Sequence, residues 1–248
     1  MTNFLLALQF LTVIPVKTRN INAKKNAQAM IFFPLVGLIL ALILSVVNKL
    51  LLMMSFPSLS IVMILIVLLV FLTGGLHLDG LADTADAFLS RKDKDEMLKI
   101  MRDSHIGVMG VLSTISIILL KIALIFSISH PLRYISLVLM CVLSRWSLVL
   151  AMFLFPYARE EGKAKIFIQN INFKIFSLAT IITLICAIAV WQLKGLLISL
   201  VAVVSTYIIG RFINKKIDGI TGDILGAINE IMEVVVLFSI CIFERIHL

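Results

Sequence analysis

Long apolar segments separated by short polar stretches run through this chain of 248 residues. No Asp, Glu, Lys or Arg occurs at residues 26–48 or 50–78, and a helix needs about 20 apolar residues to cross the ~30 Å core of a bilayer. A shorter apolar segment at residues 4–16 predicts an N-terminal interfacial or re-entrant helix. The pattern as a whole predicts an all-α bundle of about seven spans, at residues 29–52, 58–76, 107–129, 132–155, 175–193, 195–213 and 224–243.

The basic residues lie mainly between the predicted spans, and their distribution predicts the orientation. The loops on one side of the seven spans carry sixteen Lys or Arg residues, and those on the other side carry four. Cytoplasmic loops of membrane proteins carry an excess of Lys and Arg. We therefore expect a multi-pass protein of the cytoplasmic membrane whose N-terminus and three long loops are cytoplasmic.

Composition agrees with a membrane protein and excludes other classes. Hydrophobic residues make up 61% of the chain, charged residues 15%, and the mean hydropathy is +1.12, which no ordinary soluble domain reaches. The net charge of +8 does not indicate nucleic-acid binding, because the basic residues form short clusters between apolar segments. Three well-separated cysteines exclude a disulfide framework. We expect residues 1–248 to form one integral-membrane domain.

Three aspartates follow the second predicted span, in the sequence GGLHLDGLADTADAF at residues 74–88. Asp79, Asp83 and Asp86 are spaced i, i+4, i+7, which places their carboxylates on one face of a helix. Like charges at this spacing destabilise a helix unless a cation lies between them, and carboxylate oxygens are the ligands that Mg²⁺ prefers. A solvated acidic face is the alternative. Because the intervening residues are apolar or small, we expect these aspartates to bind Mg²⁺.

A second polar segment, IMRDSHIGVMGV, precedes the third predicted span. Arg102, Asp103 and His105 stand directly before a helix start, where free backbone N–H groups favour phosphate binding. The alternative is an ordinary helix cap formed by Asp103 or Ser104. Zinc binding by His77 and His105 is not indicated, because neither HExxH nor Cys/His spacing is present.

The last predicted span contains the acidic residues Glu230 and Glu233. Ionisable groups within a span are costly and usually face a partner or a polar cavity. One interpretation is ion pairing with Lys121 and Arg145, two cations well inside predicted spans. The other interpretation is a polar cavity that opens to the cytoplasm and is lined by Asp223, Asn229 and Glu230.

Several of these segments together carry a resemblance to a known family. FLTVIPV, FFPLVGL, LHLDGLADTAD, MRDSHIGVMG and GITGDILGAINE, with SRWSLVLAMFLFPYAREEGKAK, resemble the cobalamin synthases, the adenosylcobinamide-GDP ribazoletransferases. The resemblance extends over essentially the whole chain. It implies a Mg²⁺-dependent membrane enzyme that joins α-ribazole or its 5′-phosphate to adenosylcobinamide-GDP, releasing GMP and forming adenosylcobalamin or its 5′-phosphate. Beyond these substrates and the lipid bilayer, the sequence leaves a homo-oligomer open.

The resemblance also suggests roles for the candidate residues. The three aspartates would hold Mg²⁺ on the diphosphate, and one of them or Glu230 would accept the proton of the attacking hydroxyl. Candidate phosphate or nucleotide contacts are Arg102, Arg145 and Arg211. Further candidate substrate contacts are Asp103, His105, Asp223 and Asn229.

Two other classes are alternatives. Enzymes of the CDP-alcohol phosphotransferase type also use aspartates at helical spacing, but their DGxxAR continuation is absent, because Leu81 and Ala82 are followed by Asp83. A transporter could use acids within its spans to carry protons or cations. The chain has no detectable repeat halves, which argues against a transporter.

Overall fold

The computed structural model describes residues 2–16, 23–162 and 164–245, and the regular elements in these ranges are helices. Lys17, Arg19 and Lys163, which contribute to the charge count that predicts the orientation, lie outside the described residues. The α-helices are α1 Thr2–Leu11, α2 Ala23–Ala29, α3 Phe33–Met53, α4 Ser58–Thr73, α5 Leu76–Leu89, α6 Lys94–Ile100, α7 Val108–Ser127, α8 His130–Leu154, α9 Lys165–Asn170, α10 Phe173–Ile217 and α11 Gly222–Arg245.

Five helical segments of the described chain are long and apolar enough to cross a membrane, and they are Lys25–Met53 (which includes α3), α7, α8, α10 and α11. Helices α4 and α5 meet this criterion only as a pair, and the pair is bent by 89°. The predicted all-α membrane bundle is therefore confirmed, and each of the seven predicted segments is largely helical. Helix α1 is apolar and ten residues long, too short to span.

Helix α10 contains 45 residues, which would extend about 68 Å if it were straight, more than twice the bilayer core. Its backbone leaves helical geometry at Trp191 (φ −146°, ψ 27°) and Gln192 (φ 44°, ψ −127°). Gly195 lies directly against the backbone of Ala187, whereas residues eight apart in a straight helix are about 12 Å apart. The chain thus reverses direction here and forms two antiparallel segments, at the boundary that the sequence predicts.

The bend between α4 and α5 is made by two consecutive glycines. Gly74 and Gly75 have φ angles of 63° and 69°, a left-handed conformation that side chains with a Cβ adopt only at a cost. The N–H of Gly74 bonds to the carbonyl of Phe71 and so ends α4. Helix α5, which carries the three aspartates, consequently leaves the line of α4 and packs against α7 and α11.

Helix α8 occupies the centre of the bundle. It packs against α3, α10 and α11. Of the 18 residues in its most apolar stretch, 89% are buried, compared with 22% for the same length of α7. A helix that is apolar on all sides is usually a central one, since its whole circumference must be covered. The outward apolar surface of α7 is of the kind that lipid covers in a membrane.

We expect the substitution Gly195→Val to separate the two segments of α10. The added side chain would meet the backbone of Ala187, and overpacking of this kind costs about 1–3 kcal/mol. Thermal unfolding of the purified protein in detergent measures the loss. Ala189→Val, at an exposed position close to the same turn, is the matched control and should change the unfolding temperature little. Equal unfolding temperatures for the two variants would contradict the reversal.

Candidate active site

A cavity of about 270 Å³ lies where α5 meets the beginning of α11. Residues of α1, α3, α8 and the segment at 157–164 complete its walls. Much of the lining is apolar, and its ionisable side chains are Asp79, His77, Tyr157, Arg159 and Asp223. Acidic, basic and imidazole groups therefore converge on a concave site surrounded by apolar residues, which is the usual form of a small-molecule site.

The crossing of α5 and α11 places two distant acidic motifs beside each other. Gly80 lies directly against the backbone of Asp223, and a Cβ at Gly226 would lie 3.0 Å from the carbonyl oxygen of His77. The helices can approach this closely because small residues line both sides of the contact. As a result, Asp79 of α5 and Asp223 of α11 line the same cavity.

Carboxylates concentrate at this crossing. Burial, followed by the charges of Asp79, Asp223 and Asp86, raises the pKa of Asp83 to about 6. Arg159 forms an ion pair of 2.7 Å with Asp223 and acts on Asp83 in the opposite direction. Burial is the largest cause of the rise, and the three neighbouring carboxylates add to it against the opposing charge of Arg159.

Asp86 makes contacts that the sequence did not predict. Its carboxylate accepts hydrogen bonds from the backbone N–H groups of Gly107 (2.7 Å) and Gly110 (2.8 Å), at the beginning of α7. Asp86 thus caps α7, a role that the alternative interpretation of the sequence gave to Asp103 or Ser104. It occupies two of the N–H groups that were predicted to bind phosphate. No group of three His, Cys, Asp or Glu residues is arranged to hold a metal ion in the described part of the chain.

The remaining loop candidates lie away from the cavity walls. Asp103 and His105 pair with each other at 2.6 Å on the exposed surface, and the hydrogen bonds from His105 lower the pKa of Asp103. Arg102 is exposed and lines a shallow groove that also includes Arg159, beside the main cavity. Arg211 is exposed on α10 and donates a hydrogen bond of 2.8 Å to Tyr207. Of this group, Arg102 is the residue placed beside the cavity.

The acids within the last span form a buried ion network. Lys121 of α7 pairs with both Glu230 and Glu233 of α11, and Arg145 of α8 pairs with Glu233. Asn229 donates a hydrogen bond of 3.2 Å to Glu233. The ion-pairing interpretation is confirmed, and the prediction that Asn229 and Glu230 line an open polar cavity is wrong. Arg145 and Glu230 are likewise structural partners in the network and do not line the cavity.

Three ionisable residues of the cavity were not predicted as site residues, and they are His77, Tyr157 and Arg159. In the sequence, Arg159 is distinguished only as one of the sixteen basic loop residues that predict the orientation. The segment that carries it is held against the start of α11, because Ala158 N–H bonds to the carbonyl of Ile220 and Ile220 N–H bonds to that of Pro156. No spacing in the sequence signals this contact, since the paired residues are about sixty positions apart.

Comparisons with known proteins agree over almost the whole chain. The family model described as cobalamin-5-phosphate synthase matches residues 3–241. The adenosylcobinamide-GDP ribazoletransferase of Acinetobacter baumannii is 37% identical over 241 residues, which cover 96% of each chain. The protein of the same name from Desulforamulus reducens is 33% identical over 243 residues, covering 98% of this chain and 97% of the relative. That of Clostridium acetobutylicum is 35% identical over 238 residues. No solved structure matches this chain.

The ion network predicts that Lys121→Met destabilises the folded protein. Removing the cation leaves Glu230 without its ion-pair partner in an apolar interior, and breaking a buried pair costs about 3–5 kcal/mol. Adding Glu230→Gln should restore part of this stability, because the orphaned charge is removed with it. Thermal unfolding in detergent measures both changes, with the exposed Lys174→Met as the control. A double variant no more stable than Lys121→Met would contradict the pairing.

Proposed function

We infer the activity from two facts: the chain belongs to the cobalamin-5-phosphate synthase family, and its acidic motifs meet at one cavity. The full-length match to transferases of one name carries the conclusion. The chain is an adenosylcobinamide-GDP ribazoletransferase of cobalamin biosynthesis. It joins adenosylcobinamide-GDP to α-ribazole or its 5′-phosphate, giving adenosylcobalamin or its 5′-phosphate and GMP.

Asp79 and Asp83 are the residues that would hold Mg²⁺. Their oxygen donors suit this ion, which usually takes one or two carboxylates from the protein and completes its shell with water and substrate phosphates. The closeness of Asp79, Asp83 and Asp223 around Arg159 supports the assignment, because a bound cation would offset the repulsion among these carboxylates. When bound, the ion would neutralise charge on the diphosphate of the substrate. Asp86 is left out of the proposed ligand set, because both of its oxygens accept backbone hydrogen bonds.

The reaction is a phosphoryl-type transfer, and enzymes catalyse such transfers mainly by positioning the reacting groups and neutralising the charge of the phosphates. The ribose 3′-hydroxyl oxygen of α-ribazole forms a bond to the phosphorus nearer cobinamide, and the bond from that phosphorus to the oxygen of GMP breaks. The hydroxyl proton passes to a carboxylate at the cavity, Asp79 or Asp223. Arg159, which is paired with Asp223, would stabilise the negative charge of the phosphates. Glu230 is excluded as the proton acceptor, because it is buried in the ion network and does not line the cavity.

We propose that the cavity opens on the cytoplasmic side of the cell membrane. The excess of basic residues in the loops beside α5 and α9 supports this orientation. Nucleotide substrates and Mg²⁺ are present in the cytoplasm, so an active site on this face has direct access to both.

The variant Asp83→Asn should lose at least about 100-fold in the rate of GMP release, since removal of a charged group that stabilises a transition state has effects of this order. The assay uses purified enzyme in detergent with saturating Mg²⁺, adenosylcobinamide-GDP and α-ribazole. Asp95→Asn, at an exposed position on α6, is the control and should retain activity. Activity of Asp83→Asn near that of the unchanged enzyme would remove Asp83 from the mechanism.

Cysteine labelling tests the orientation. In a background from which Cys141, Cys186 and Cys241 have been replaced, Lys92→Cys and Met54→Cys introduce exposed thiols beyond opposite ends of α4. A membrane-impermeant thiol reagent added to spheroplasts should label Met54→Cys and leave Lys92→Cys unlabelled until the membrane is opened. The reverse pattern would show that the cavity faces outward.

A further inference from the structure

The apolar part of the cavity is not explained by the reacting groups alone. Asp79, Asp223 and Arg159 serve the diphosphate and the attacking hydroxyl, yet most of the remaining lining is hydrophobic. Phe10 and Phe33 contribute two aromatic rings whose planes differ by 14° and whose centroids are 5.8 Å apart. Leu148 and Met152 of α8 and Leu225 of α11 add aliphatic surface. Such a lining suits a flat ligand with little polar edge.

One polar side chain in this lining lacks a partner. His77 is only 4% exposed, and its Nδ1 makes no hydrogen bond to any described residue. His77 belongs to the cavity lining, and a ligand toward which its ring turned would remove the cost of about 1–3 kcal/mol of a buried polar atom without a partner. An imidazole carries at least one N–H donor in either protonation state, which makes His77 available as a donor to a ligand acceptor.

The substrate parts differ in size and in the polarity of their edges. The corrin ring with its amide side chains is too large for a cavity of about 270 Å³. Guanine presents N7 and O6 as acceptors and its amino group as a donor, most of which would be unpaired against aromatic and aliphatic walls. The dimethylbenzimidazole base of α-ribazole carries two methyl groups and a single free ring nitrogen. It therefore matches a cavity with an apolar lining and one unpaired buried imidazole.

We propose that this cavity is the subsite for α-ribazole, with His77 donating a hydrogen bond to the free ring nitrogen of the base. The proposal rests on the inferred transferase activity. Asp79 and Asp223 line the same cavity, so a base held against Phe10 and Phe33 leaves the attached ribose to reach these carboxylates. The corrin of the other substrate stays outside, and only its diphosphate approaches the crossing of α5 and α11.

The test compares α-ribazole with its carbon isostere, the 5,6-dimethylindole riboside, in which the free ring nitrogen is replaced by C–H. Binding of each nucleoside to purified enzyme is measured by isothermal titration, and kcat/KM by GMP release. The unchanged enzyme should prefer α-ribazole by about 10-fold, the size expected for one hydrogen bond in a buried site. His77→Leu should reduce this ratio to near one while still turning over the isostere, and His77→Gln, which retains an N–H donor, should restore part of the preference.

His130→Leu is the matched control, because His130 is exposed at the beginning of α8 and does not line the cavity. This variant should keep the preference for α-ribazole over the isostere. Equal affinity of the unchanged enzyme for both nucleosides would overturn the proposal, and this measurement needs no variant to fold. Competition between GMP and α-ribazole for binding would assign the cavity to guanosine instead. Failure of the transferase assignment looks different: the unchanged enzyme would then release no GMP from adenosylcobinamide-GDP when α-ribazole is present.

Discussion

A cost in electrostatic free energy organises this bundle: charges buried among apolar helices must be paired. Lys121, Arg145, Glu230 and Glu233 bring two cations and two anions together inside the protein, from α7, α8 and α11. An unpaired member would carry a large desolvation penalty, so the three helices can rotate about their axes only within the range that preserves the pairs. The network thereby sets which face α11 presents to its neighbours.

The face of α11 set in this way is the one that α5 crosses. Gly80 and Gly226 let the two helices touch at their backbones, and the contact places Asp223 beside Asp79. Asp86 then ties the other end of α5 to the beginning of α7 through two backbone hydrogen bonds. Helix α5 is thus held near both ends by α11 and α7, two helices that the ion network joins, and this rigid support suits the proposed site.

The acidic residues of the chain divide into two groups by their surroundings. Glu230, Glu233 and Asp86 have their oxygens engaged by cations or backbone N–H groups and contribute to stability. Asp79, Asp83 and Asp223 lie at the cavity or beside it, with one arginine among them. Glu230, Glu233 and Asp86 are thus fixed by contacts within the fold, whereas Asp79, Asp83 and Asp223 lie where we propose that the substrates bind.

Local pattern was sufficient for much of this protein. The apolar segments indicate helices, because a single segment buried in lipid can satisfy its own backbone hydrogen bonds only as a helix. The interruption of the apolar pattern at residues 191–195 marks the reversal of α10. The spacing of Asp79 and Asp83 places both carboxylates on one helix face, because residues four apart lie one helical turn from each other. Contacts between residues far apart in the chain leave no periodic pattern in the sequence, and only the tertiary packing determines them. The cap formed by Asp86, the burial of Glu230 and the convergence of His77, Arg159 and Asp223 depend on helix crossings, where contact between side chains is set by three-dimensional geometry and not by their separation along the chain.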